Sequence, residues 1–266
     1  MLRALIWDVD GTLAETERDG HRVAFNRAFA DAGLCWHWDE ATYGELLRVT
    51  GGKERIAHWW QGIDAAAANA PQASARIAAL HAAKSRHYEA LVRTGAVSLR
   101  PGVHRLLHEA RAAGVTLAIA TTTQPGNVQA LLAHTLGPAA AGWFDCIAAG
   151  DIVPRKKPAP DIYCHVLAAL GLAPQETLAI EDSGAGVAAA CAAGVPVLVL
   201  RSAYARDDVL DGALALLDDL DDVDEAPVTI EDLQRWHGRT IAPACAAPAA
   251  RRTRPCTATP TAAAPR

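Results

Sequence analysis

No stretch of this chain approaches the roughly 18 consecutive apolar residues that a membrane-spanning helix needs, although 51% of its 266 residues are hydrophobic. Close cysteine pairs are also missing. Cys35, Cys146, Cys164, Cys191, Cys245 and Cys256 are widely spaced and form no CxxC, which argues against a disulfide framework and against a zinc site. There is no excess of positive charge. The net charge is −5, and the four arginines that are the only charges from Ile241 onward leave −9 on the rest. Such a body suits neither nucleic acid nor an anionic membrane, and an anionic ligand would need a locally basic pocket. A first strand near Ala4 leaves no room for a signal peptide. A cytoplasmic protein with reduced thiols is expected, as a monomer, and no internal repeat is visible.

What is present is an alternation of strand and helix. Apolar runs at Ala4–Trp7, Val115–Thr121, Phe144–Ala149, Leu178–Glu181 and Pro196–Leu200 read as strands. Helical patterns at Val103–Ala113, Asn127–Leu136, Asp161–Leu170 and Gly186–Ala193 lie between them, and Gly114, Gly171 and Gly194 stand where helix C-caps should. Strands that are apolar throughout belong to a parallel sheet covered on both faces, an α/β fold. Residues 15–96 break the rhythm and read as helices at His21–Ala32, Tyr43–Leu47, Lys53–Trp60 and Ala73–Arg93. The expected organisation is a Rossmann-like core at 1–14 and 97–225 with a helical cap inserted at 15–96. Arg100-Pro101-Gly102 marks the return to the core. A small terminal element is expected at 226–240, and a disordered Ala/Pro/Arg-rich tail at 241–266, too poor in large apolar residues to offset its ordering entropy.

Several of these strands run into reactive residues. The first closes on Asp8-Val9-Asp10-Gly11-Thr12, two acids that can converge beyond the carboxyl end of the strand, where α/β folds bind ligands. Two such carboxylates repel unless a cation or proton lies between them. The second ends in Thr121-Thr122-Thr123, and the fourth in Glu181-Asp182-Ser183 before Gly184 and Gly186. Arg155-Lys156-Lys157-Pro158 precedes a helix near Asp161. Singly, each has an ordinary reading: a turn, β-branched strand ends, an N-cap cluster, a solvated charge pair.

Taken in order, the four segments resemble the motifs of the haloacid dehalogenase superfamily of phosphatases. The resemblance implies that Asp8 is the nucleophile and Asp10 the general acid and then base. It implies Mg²⁺ held by the Asp8 carboxylate, the Asp10 backbone carbonyl and Asp182, with Glu181 supporting through water. Thr121 and its amide, with Thr122, would hold a phosphoryl oxygen. Lys157, directly before proline, would pair with Asp8, Lys156 being the competing choice.

In the cap, Gly51-Gly52-Lys53-Glu54-Arg55 has the form of an anion nest at a helix start. Glu17 and His21 near the hinge can meet sugar hydroxyls, and Arg22 and Arg48 add positive charge. With Ala14–Glu17, Phe25-Asn26, Trp36-His37-Trp38 and Tyr43, these residues resemble the CbbY family from Leu2 to about Val223. That family includes xylulose-1,5-bisphosphate phosphatases, which remove an inhibitory misfire product of ribulose-bisphosphate carboxylase and so serve the Calvin cycle. The implied substrate is a small sugar bisphosphate, bound at Glu17, His21, Arg22, Tyr43, Arg48, Gly51, Gly52, Lys53, Arg55, Thr121, Thr122 and Lys157. A β-phosphoglucomutase-like mutase shares the core motifs. A non-catalytic regulatory module is the reading from another class, and intact Asp8, Asp10, Lys157 and Asp182 speak against it.

Overall fold

The computed structural model describes residues 1–205, 208–221 and 226–241; the expected disordered tail lies outside the described residues, save its first residue, Ile241, which ends the last helix. Six parallel strands form one sheet in the order β3-β2-β1-β4-β5-β6. They are β1 Ala4–Trp7, β2 Thr116–Ala120, β3 Cys146–Ala148, β4 Thr177–Glu181, β5 Val197–Leu200 and β6 Ala213–Leu217. Ala4 of β1 pairs with Thr116 of β2 on one side and Thr177 of β4 on the other. The order turns at β1, and the crevice for a ligand opens at that switch point, beyond the carboxyl ends.

Strand period decides which core each residue joins. Leu5 and Trp7 pack on one face, with α6 (Val103–Ala112), α7 (Pro125–Thr135) and α10 (Ile230–Ile241). Ile6 packs on the other, with α8 (Asp161–Leu170) and α9 (Gly184–Ala192). Both faces are covered, as the unbroken apolar strands require. β6 was not expected from the sequence. At the sheet edge its residues are half-buried, Leu216 being exposed, so Ala213–Leu217 lacks the full burial of the inner strands. The terminal element is the helix α10, and α7 starts earlier than its pattern suggested because Pro125 occupies the first turn.

Between β1 and β2 the chain makes a helical insert: α1 Arg22–Asp31, α2 Glu40–Leu46, α3 Gly52–Ile63, the short α4 Ala65–Ala68, and α5 Ala73–Arg93. The insert has its own apolar cluster, with Phe25, Phe29, Trp38, Tyr43, Leu46, Ile56 and Leu80 buried. Asn26 clips the Trp38 backbone from both sides, donating to its carbonyl and accepting from its amide at 2.8 Å each. Asp39 caps α2 by accepting from the Thr42 amide at 2.8 Å. The chain enters the insert after Ala14 and leaves it at Leu99, and these two residues form an antiparallel bridge. One turn of π-helix, Glu17–His21, precedes α1. It brings His21 back over the loop after β1.

Candidate active site

β1 ends at Trp7, yet the Asp8 amide still donates to the Ile180 carbonyl at 2.9 Å. Asp8 is thereby set beside the end of β4. Lys157 Nζ donates to Asp8 Oδ1 and pairs with Glu181 Oε1, each at 2.7 Å. Oxygens of Asp8, Glu181 and Asp182 lie within 4.8 Å of one another, and all three residues are buried. One ammonium therefore pairs with two of the three acids. Burial drives the Asp8 carboxyl up to about 7; Lys157 pulls it down, while Glu181 and Asp10 push it up. Burial and then the Asp8 charge lift Asp182 well above the usual carboxylate range, against a hydrogen bond from Ser202. Burial alone would lower Lys157, but Asp8 and Glu181 outweigh it and keep the amine protonated.

The two acids of the first motif part company. The chain leaves the ladder after Asp8, and Gly11 turns it with φ +82°. The Asp10 carboxylate then accepts from Thr16 Oγ1 at 2.6 Å and from His21 Nε2 at 2.8 Å. Lys84 of α5 donates to His21 Nδ1 at 2.8 Å. An ammonium can only donate, so Nδ1 is the acceptor and Nε2 carries the proton given to Asp10. Burial would raise Asp10, but His21, Thr16 and Lys84 together hold it well below the usual range. Burial brings Lys84 down to about 8, still mostly protonated at neutral pH. Asp10 is thus an anion on the insert side of the cleft, and its carboxylate lies outside the acid cluster.

Above these groups is a cavity of about 990 Å³. Asp8, Asp10, Thr121, Thr122, Lys157 and Asp182 line it from the core; Glu17, Arg48, Gly51 and Arg55 line it from the insert. A smaller recess beside it holds His21, Gly52, Lys53, Lys84 and Lys156. Tyr43 stands behind the wall, donating to Glu17 Oε2 at 2.5 Å and accepting from Arg55 Nη1 at 3.0 Å. Arg55 is buried and also donates to the Leu46 carbonyl.

Some expectations change. The Thr121 amide is not available for a phosphoryl oxygen, because it continues the β2–β3 ladder by donating to the Ala148 carbonyl at 3.0 Å. Arg22 lines neither space; its guanidinium turns to the Arg18 carbonyl and Glu40. Lys53 is drawn to Asp151 at 2.5 Å, away from the main cavity. Lys156 is paired with Glu54 and Asp151, so Lys157 alone of the two reaches Asp8. Arg48 reaches the cavity but is exposed and paired with Glu45. Sequence reasoning missed Thr16, Lys84, Tyr163 and Ser202. Tyr163 donates to Glu181 Oε1, and only its place six residues after Lys157 could have hinted at it.

Hard carboxylate oxygens suit a divalent cation such as Mg²⁺. Glu181 Oε2 is buried without a hydrogen-bond partner. Together with the repulsion between Asp8 and Asp182, this makes the cluster fit a cation.

A buried carboxylate paired with a lysine, beside an acid cluster at the switch point of a parallel sheet, defines a candidate hydrolase site of one class. The family model for haloacid dehalogenase-like hydrolases matches residues 2–194, and the chain belongs to that family. Within it, the chain is 45% identical over 251 residues to protein CbbY of Cupriavidus necator, covering 90% of this chain and 98% of the relative. It is 50% identical over 212 residues to protein CbbY of Rhodobacter capsulatus, covering 80% and 91%. It also resembles the crystal structure of a CbbY mutant from Rhodobacter sphaeroides in complex with xylulose-(1,5)bisphosphate, at 43% identity and TM-score 0.76, covering 86% of this chain and all of that one.

Proposed function

We propose that this chain is a Mg²⁺-dependent phosphatase of a small sugar bisphosphate, with xylulose-1,5-bisphosphate the foremost candidate. The observation that carries the reading is the Asp8 carboxylate, paired with Lys157 at 2.7 Å and facing a cavity walled by Asp10 and Arg55. The complex of the CbbY relative with that sugar supports the substrate class.

Asp8 attacks phosphorus and becomes an aspartyl phosphate as the sugar oxygen departs. Lys157 offsets the negative charge of the phosphoryl group. Asp8, the Asp10 carbonyl, Glu181 and Asp182 would hold Mg²⁺, which supplies charge neutralisation for the approach of one anion to another. The departing oxygen needs a proton. The entering phosphate dianion raises the proton affinity of Asp10 by like charge, so Asp10 can be loaded and then donate. Freed of that proton, and fixed by His21, it takes one from the water that opens the aspartyl phosphate. Arg55 is the preferred partner of the second phosphate, with Gly51 and Arg48 beside it. Glu17 is placed for sugar hydroxyls.

The helical insert at 15–96 acts in this reading as a cap that carries specificity over a core at 1–14 and 97–225. Phosphate release from xylulose-1,5-bisphosphate, other sugar bisphosphates and sugar monophosphates is the test. Release should depend on Mg²⁺, stop with EDTA and vanish in Asp8→Asn. Better turnover of monophosphates than of every bisphosphate would reject the substrate class. Interconversion of sugar phosphates without net release would make the protein a mutase.

A further inference from the structure

Arg100 has no task in the reaction above, yet it is 7% exposed beside the site. A buried guanidinium requires partners. Its nearest carboxylate, Glu15, is 3.7 Å away on a half-exposed side chain. The N–H groups go instead to four main-chain carbonyls. Nη1 donates to Gly11 at 2.5 Å and Leu200 at 3.2 Å, and Nη2 donates to Arg201 at 2.8 Å and Asp218 at 2.5 Å. These carbonyls lie at or past the ends of three strands: β1, β5 and β6.

Two of these loops touch the acid cluster. A Cβ on Gly11 would lie 2.1 Å from Asp182 Oδ2, so the backbone there is pressed against that carboxylate. Ser202, the residue after Arg201, closes on the same spot from the other loop, its own Cβ 3.1 Å from that added Cβ. Asp182 thus sits between two segments whose spacing is set by one guanidinium. We infer that Arg100 is a positioning residue for the acid cluster: it ties the Gly11 peptide to the loop after β5 and so fixes Asp182 beside Asp8. The inference rests on the phosphatase reading. The planar fork suits the task, because one rigid group reaches carbonyls on several strands at once. A lysine ammonium has three donors on a flexible stem and does not reproduce that geometry.

Arg105 provides the comparison. It donates to the carbonyls of Leu220 and Val228 and to Asp221 and Glu109, a similar clasp away from the acids. Arg100→Lys should weaken Mg²⁺ binding, read by isothermal titration, by about 10–100-fold, with a kcat loss of the same order. KM for the phosphate ester should change little, since Lys157 and Arg55 are untouched. Methylguanidinium added to Arg100→Ala should restore part of both quantities. Arg105→Lys should lower Tm and leave Mg²⁺ affinity unchanged. The inference falls if Arg100→Lys binds Mg²⁺ and turns over like the wild type, or loses no more than Arg105→Lys does. It falls equally if neither Arg100 variant folds, which would make the residue one of stability alone. If the wild type hydrolyses no phosphate ester, the phosphatase reading fails, while the Mg²⁺ titrations still judge Arg100.

Discussion

Removing Mg²⁺ should change stability in a strongly pH-dependent way. Asp8 moves from 3.8 to about 7 on folding because of burial, against the pull of Lys157. Holding it ionised in the folded protein therefore costs about 4 kcal/mol at 1.36 kcal/mol per pH unit. Below about pH 4 the group is protonated in both states and the cost is absent. It grows as pH rises from about 4 to 7 and is fully present above that. Asp182, also raised, acts in the same direction. A divalent cation between the acids removes this cost, so its stabilising effect should be large near pH 8 and fade toward pH 5. With a Tm response of about 2–4 °C per kcal/mol for a chain of this size, the Mg²⁺-induced rise should reach about 8–16 °C at the upper end. For one proton released, Mg²⁺ affinity should fall about tenfold between pH 8 and pH 6. Calorimetry with and without Mg²⁺ across this range, with Asp8→Asn as the control, is the measurement. A Mg²⁺ shift equal at both ends of the range, or larger in acid, would refute the argument.

Asp10→Asn should lower kcat by about 10²–10⁴-fold with the fold retained, as loss of a general acid and base does, and should lower Tm because the anion held by His21, Thr16 and Lys84 is gone, checked by steady-state kinetics and calorimetry. Lys84→Met removes the donor that fixes the His21 tautomer. It should lower kcat by about tenfold or more, given about 1.5–3 kcal/mol for a hydrogen bond to a charged group, and shift the acid limb of the pH–rate profile. Trp38→Ala should destabilise the protein by about 3–5 kcal/mol in denaturant titration, because the side chain is fully buried. Asp151→Asn frees Lys53 and leaves Lys156 with Glu54 alone, and should cost under about 1 kcal/mol, these pairs being partly exposed.

That the core motifs of the candidate site come together was legible because their placement is carried by backbone order. Asp8, Thr121 and Glu181-Asp182 end apolar strands, and parallel strands of like length bring their ends together. Lys157 is 149 residues from Asp8, but its place before Pro158 among ordered motifs singled it out. Lys84, Ser202, Tyr163 and Arg100 were not legible. Each is a single polar residue in a helix or loop whose partner is set only by packing. The availability of the Thr121 amide was misjudged because a sequence does not show how far a ladder runs. The cap arginines and Lys53 were legible as charge, but the pairings of Arg22 with Glu40 and Lys53 with Asp151 arise from tertiary contacts that motif reading does not contain.

Of the seven tryptophans in the chain, Trp36, Trp38, Trp59 and Trp60 lie in the helical insert, in or beside its aromatic cluster. Tyr204, from the loop after β5, packs edge-on against Tyr43 of that cluster at 5.9 Å between ring centroids. Intrinsic emission of this protein is thus weighted toward the insert, and a separation of the insert from the Tyr204 loop would change the solvent exposure of that cluster. The insert therefore carries an optical reporter of its own, and any such separation would be open to stopped-flow fluorescence without an attached dye.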